Sequence, residues 1–208
     1  MEVKYLIPLL ILGAAGTTQY YLGSRQNRWM GKRISTQAEE ILNPKDTEYV
    51  NIGGVIGYNF VYRLREPWKE AKGSFTFLPR HSMLYLPISY LIGSRDRFFL
   101  NLFTDRRLAG EGHIVEKRHL GRAKIDGVES MKRMEVSKGK KRFVLLYKEE
   151  GLKSALLKTL EAMADSDSLA HFCCYADNKT FFLFLKPRKG MVEDNLKTFL
   201  QICPEYFR

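Results

Sequence analysis

The sequence predicts an α/β fold of the α+β kind, a mixed sheet with helices packed on one face, preceded by one N-terminal transmembrane helix. Three observations carry that expectation. Runs rich in Val, Ile, Phe and Tyr alternate with polar residues between Glu48 and Leu185, which is the period of half-buried strands. The stretches 23–43 and 151–163 instead repeat their apolar residues at helical spacing. Ahead of both, Tyr5 to Leu22 runs for eighteen residues without a charge. With 208 residues and 45% hydrophobic content, the chain suffices for one ordinary domain with a core and is too short for two large ones. The expected division is an anchor at 5–22, an exit helix at 23–43 and a basic domain at 44–208.

As a helix, the uncharged run would rise about 27 Å, close to a bilayer core of roughly 30 Å. Leu6, Leu9, Leu10, Ile11 and Leu12 supply its apolar surface, and Tyr20 and Tyr21 would sit at the interface where amphipathic rings prefer to be. Pro8 falls in the first turns, where a missing amide donor costs little. A cleaved signal peptide is the competing reading, since Lys4 precedes a short apolar run and Gly13 to Gly16 are small. Against it, Arg25, Arg28, Lys32 and Arg33 follow the run, whereas Lys4 before it is offset by Glu2. The positive-inside rule then keeps the C-terminal domain on the cytoplasmic side.

In the exit helix, Trp29, Met30, Ile34, Ala38, Ile41 and Leu42 share one face, and Pro44 lies just past its end. Glu48 to Arg65 reads as one or two strands bending around Gly53, Gly54 and Gly57. GSFTFLPR is a strand, Ser82 to Ile92 a very apolar helix interrupted by Pro87, and DRFFLNLFT another strand, together a β-α-β unit. ESMKRMEVSKGKKRFVLLY resembles a hairpin turning at Lys138 to Lys140. GLKSALLKTLEAMA is a helix burying Leu152, Ala155, Leu156, Thr159, Leu160 and Met163. LAHFCCYADNKTFFLFLKP folds back at Asp177-Asn178, and Met191 to Ile202 is a closing helix.

No motif demands an enzyme, so no catalytic residue, cofactor or metal is expected. His113 and His119 flank Glu111 and Glu116 at a spacing that matches no zinc arrangement. His81 and His171 stand alone in apolar surroundings. Cys173 and Cys174 are neighbours that rarely bridge, and the strand context makes both inert buried thiols. Gly110-Glu111-Gly112 lacks the third glycine and helix of a phosphate loop and reads as a turn.

The strong signal outside the anchor is charge. The net +11 and pI near 9.6 point to an anionic partner. Between Arg106 and Lys148, thirteen Lys or Arg stand against five acidic residues. The candidate polyanion-binding residues are Arg106, Arg107, Lys117, Arg118, Arg122, Lys124, Lys132, Arg133, Lys138, Lys140, Lys141 and Arg142. Phe98, Phe99, Phe143, Phe181, Phe182 and Phe184 sit in strand runs and read as core, which argues against sequence-specific reading of single-stranded RNA.

The order of elements, from SRQNRWMGKRISTQAEEIL through GSFTFLPRHSMLYLPISYLI, DRFFLNLFT and RFVLLYKEEGLKSALLKTLEAM to KTFFLFLKP, resembles the calumin family. Its eukaryotic members are single-pass proteins of the endoplasmic reticulum whose cytosolic α/β domain sits beside the Sec translocon and the ribosome and assists insertion of multipass membrane proteins. The chain lacks the family's long acidic segment and its basic C-terminal coiled coil, so the resemblance does not carry calcium binding over. It implies a non-enzymatic, membrane-tethered adaptor contacting ribosome, rRNA and translocon subunits through its own basic residues. The other function expected from the charge is a membrane-anchored domain that binds anionic lipid or another membrane protein. Exposure of residues 83–92 is the feature that separates these readings.

Overall fold

In the computed structural model, which describes residues 3–208, helix α1 (Val3–Leu42) leads into strands β1 (Asp46–Asn51), β2 (Gly57–Arg63) and β3 (Trp68–Thr76). Helix α2 (Tyr85–Leu91), strands β4 (Arg97–Thr104), β5 (Gly112–Glu116), β6 (Lys132–Lys138) and β7 (Lys141–Tyr147), and helix α3 (Gly151–Ala162) follow. Strands β8 (Leu169–Tyr175) and β9 (Thr180–Leu185) and helix α4 (Glu193–Ile202) complete the fold. The expected anchor and exit helix are one continuous helix that keeps Pro8 inside it. Glu2, counted above among the flanking charges, lies outside the described residues.

Among the described residues nine strands form one sheet in the order β1-β2-β3-β4-β9-β8-β5-β7-β6, and every pairing is antiparallel. This corrects the mixed sheet and the β-α-β unit expected from sequence. Strands β3 and β4 are direct antiparallel neighbours, so α2 is an excursion at the end of a hairpin. A parallel crossover would need a helix lying back over the sheet, and seven-residue α2 buries no residue. Where a turn is expected at 110–112, Gly110 and Glu111 form none and Gly112 already begins β5, an interior strand between β7 and β8 whose five residues are all buried.

The second half of α1, together with α3 and α4, covers one face of the sheet, as expected. Met30, Ile34, Ala38 and Leu42 from α1 and Leu152, Leu156 and Leu160 from α3 share a core with Phe60, Leu100, Phe172, Phe181 and Leu183. Each of the Leu, Ile, Met and Phe side chains among them contributes roughly 1.5–3 kcal/mol by leaving water. Trp29, expected on the buried face, is instead 52% exposed, with the Arg33 guanidinium 5.2 Å from its ring centre. Helix α1 stops where Asn43 takes a left-handed conformation, φ 44°, just ahead of Pro44. Buried Gln37 ties α1 to α4: its Oε1 accepts from the Val192 and Glu193 amides at 2.9 Å, and its Nε2 donates to the Gly190 carbonyl at 3.0 Å.

The first half of α1 projects past the sheet, and its apolar residues face outward. No helix among the described residues is long and apolar enough to cross a membrane. Thr17, Thr18 and Gln19 interrupt the apolar run, and Gln19 is taken up by the domain, donating to the Arg80 carbonyl at 2.6 Å. Just beyond, Gly23 lies so close to the 78–81 loop that a Cβ would meet the Arg80 carbonyl oxygen at 2.1 Å.

That loop is held by one part-buried knot. Arg80 donates to both oxygens of Asp96 at 2.8 and 2.7 Å and to Asn27 Oδ1 of α1 at 3.1 Å. Asp96 also accepts from the Leu78 amide at 2.9 Å, and Asn27 Nδ2 donates to the Leu78 carbonyl at 2.9 Å. Asp96→Ala would leave the part-buried Arg80 guanidinium with Asn27 as its remaining partner, which costs about 1–3 kcal/mol. Urea unfolding of the purified chain is the check: a loss below about 1 kcal/mol would place this pair with solvent-screened surface bridges.

Candidate functional site

The sheet face opposite the helices carries a cleft with a volume of about 1160 Å³. Strand alternation builds its floor. Phe98, Leu100 and Leu102 of β4 point into the helix-side core, so Phe99 and Asn101 point the other way. Phe182 and Phe184 of β9 and His171 and Tyr175 of β8 join them there. The rings pack on one another: Phe99 and Phe184 stack at 4.4 Å, and His119 meets Phe184 edge-on at 5.1 Å. These three phenylalanines, expected in the core, line the cleft instead, because only every second strand residue can face the helices.

Charged side chains form the walls. Eight cations, Arg80, Arg95, Arg97, Arg118, Arg122, Lys141, Lys186 and Arg188, face three carboxylates, Asp96, Glu116 and Asp167. Lys186 and Lys141 share Glu116 at 2.6 and 3.3 Å, and Arg188 reaches Asp167 at 3.3 Å. Burial opposes the charge on Glu116, but Lys186 and Lys141 outweigh it and hold the carboxyl below its ordinary pKa. Burial lowers the pKa of Lys141, with Glu116 opposing the shift. Among the described residues, Arg97, Arg118 and Arg122 have no carboxylate partner, and Arg95 bonds only the Ser94 carbonyl. These guanidiniums stand at the mouth of a partly apolar cavity, where the field of like charges favours an anion.

Of the residues expected to bind a polyanion, the structure brings Arg118, Arg122 and Lys141 to this cleft. It does not gather the other nine. Lys117 and Arg133 share Glu135 at 2.6 and 3.0 Å, and Lys132 pairs with Glu150 at 2.5 Å. Lys138 caps the end of α3, donating to the carbonyls of Leu160, Glu161 and Met163, where a cation meets the negative end of the helix dipole. Arg106, Arg107, Lys124, Lys140 and Arg142 are exposed outside the cleft lining. Five cleft cations escaped the reading from sequence because they lie outside 106–148: Arg80, Arg95, Arg97, Lys186 and Arg188. Their signal was position, since Arg97 and Lys186 flank strands whose alternate residues are aromatic.

Below the cleft lies a second group that spacing concealed. His113 of β5 is directly opposite Cys173 of β8, and His171 is two residues along β8 on the same face. His113 Nδ1 and His171 Nε2 are 3.2 Å apart, and His113 Nε2 is 3.3 Å from Glu111 Oε1. Both imidazoles and the thiol are buried, so His171 does not stand alone as expected. Burial, with His113 and His119 adding to it, pushes His171 down to about 3, and burial pushes the Cys173 thiol well up. Neither a scan of protein-family models nor a search of curated proteins gives a match to this chain.

The Glu116 cluster has a pH signature. Its carboxyl is depressed in the fold, so its contribution to stability is present above the unfolded pKa of about 4.3 and is lost as pH falls through the lower folded value. The stability difference between the native chain and Glu116→Gln should stay constant above about pH 5.5 and shrink on acidification below about 4.3. Denaturation midpoints measured across that range are the check, and a difference independent of pH would remove the assigned linkage.

Proposed function

We propose that this chain is a membrane-tethered domain that lies on the cytoplasmic surface of a bilayer and holds an anionic, phosphate-bearing lipid headgroup in its basic cleft. The observation that carries the reading is the exposure of α2 and its flanks: Leu84, Leu91 and Ile92 are 77%, 87% and 70% exposed. Met83, Tyr85, Ile88 and Tyr90 are exposed beside them. Apolar patches of this kind mark contact surfaces, and tyrosines among aliphatic residues suit the headgroup boundary.

Position supports the bilayer as the occupant. Tyr20 of α1 meets His81 edge-on at 5.9 Å, four residues before α2 begins. Leu9, Leu10, Ile11 and Leu12 of α1 are likewise exposed, so two apolar elements emerge from the same edge of the domain. In this reading α1 inserts its apolar end, α2 lies in the interface, and Arg25, Arg28 and Lys32 meet the anionic cytoplasmic leaflet. Tyr90, Gly93 and Arg95 continue from α2 into the cleft wall, and in this reading the cleft arginines lie at headgroup depth.

The adaptor reading, in which the domain contacts a translocon-bound ribosome, would use the exposed hairpin tip at Lys140 and Arg142. Photocrosslinking in native membranes from positions 118 and 140 separates the two. Lipid adducts from 118 support headgroup binding, whereas rRNA adducts from 140 without lipid adducts from 118 favour the adaptor.

A direct test places a polarity-sensitive dye at Ile88→Cys, where selective labelling is expected because the three native cysteines are buried. Emission should shift to the blue in phosphatidylserine bilayers, and the shift should be lost in Leu84→Glu/Leu91→Glu. Those exposed sites should leave stability within about 0.5 kcal/mol. A dye that stays in water in every bilayer removes α2 from the reading. Arg118→Ala and Arg122→Ala should each weaken binding of a fluorescent short-chain phosphatidylserine, by about 1 kcal/mol or roughly fivefold.

A further inference from the structure

We propose that His113, His171 and Cys173 form a zinc site beneath the cleft floor, independent of what the cleft itself binds. The donor atoms of these three residues lie within 4.8 Å of one another. Two imidazole nitrogens bound tetrahedrally to zinc at about 2.0–2.1 Å stand roughly 3.3 Å apart, and His113 Nδ1 and His171 Nε2 are separated by 3.2 Å. A tetrahedral nitrogen–sulfur edge is roughly 3.6 Å, so a small shift of the Cys173 side chain closes the set. Imidazole with thiolate is a donor combination that suits zinc, whereas magnesium and calcium prefer oxygen.

The groups behind these ligands fit the same role. Glu111 Oε1 lies 3.3 Å from His113 Nε2, and Lys148 in turn forms an ion pair with Glu111. A carboxylate only accepts, so it holds the proton on Nε2 and leaves the Nδ1 lone pair directed at His171. A carboxylate behind a ligating histidine is the usual outer partner of a zinc ligand, fixing both tautomer and ring orientation. Antiparallel register makes the set rigid, with His113 and Cys173 directly opposite on neighbouring interior strands. His171 also borders the cleft, which is the side from which water would complete a three-ligand zinc site. Binding converts the Cys173 thiol to thiolate, whose proton leaves to solvent, and shifts the His171 proton from Nε2 to Nδ1 so that Nε2 can ligate.

The test uses the full chain in detergent, stripped with chelator and titrated with Co²⁺ and then Zn²⁺. We expect about one metal per chain. The cobalt form should show tetrahedral d–d bands together with a thiolate-to-cobalt charge-transfer band, and zinc should displace it. Cys173→Ser should abolish the charge-transfer band. Glu111→Gln, at a partly exposed position, should keep the band and weaken zinc binding 10–100-fold, which keeps the test decisive if the cysteine variant fails to fold. No charge-transfer band in the folded native chain, a band that survives in Cys173→Ser, or unchanged zinc affinity in Glu111→Gln would overturn the assignment.

Discussion

The ion pair between part-buried Arg80 and buried Asp96 is the interaction on which the geometry of the cleft depends. Asp96 precedes β4, Arg80 lies in the loop before α2, and Asn27, which accepts from the same guanidinium, belongs to α1. One bidentate contact therefore joins the sheet, the apolar excursion and the long helix. Desolvating both charges is expensive, and the cost is recovered only because fixed partners satisfy both groups. Hydrophobic burial alone would hold α1 against the sheet through Met30, Ile34 and Ala38, but it is non-directional. The directional bonds at Arg80 set where α1 leaves the domain and which edge α2 extends.

The two faces of the sheet have different roles. The helix-covered face holds the main core, with Phe60, Leu100, Phe172 and Leu183 excluded from water. On the other face, Leu120, Ile125 and Val128 shield only the small cluster of Met131, Val144 and Leu146. The rest of that face stays open, with aromatic rings as floor and guanidiniums as wall. Asp96, Glu116 and Asp167 neutralise part of the positive charge and relieve self-repulsion, while Arg97, Arg118 and Arg122 keep theirs. Net charge alone would have suggested a diffuse basic surface. The fold places eight cations around one cleft beside the exposed apolar residues of α2.

Edge management follows the same economy. Strand β6 closes one end of the sheet with Lys132, Arg133, Glu135 and Lys138, charges that discourage pairing with another chain. Several of the cations counted as candidate polyanion ligands serve this edge or cap α3. The Lys and Arg of 106–148 are therefore spread over the cleft, the β6 edge and the end of α3 rather than gathered on one face.

Much of the architecture was legible from local pattern. The stripe Leu152, Leu156, Thr159, Leu160 marks α3 because residues three and four apart share a helix face, and the Asp177-Asn178 turn joins β8 to β9 because polar turn residues separate two apolar runs. Those relations span few residues, so the sequence by itself determined the helices, most strands and the overall positive charge. Strand order, the wholly antiparallel pairing, the outward placement of α2 and the distribution of cations depend on contacts between distant segments. His113 and Cys173 are sixty residues apart in the chain and opposite one another in the sheet. Only tertiary structure decided such pairs, because backbone hydrogen bonding between strands fixes register without any local sequence signature.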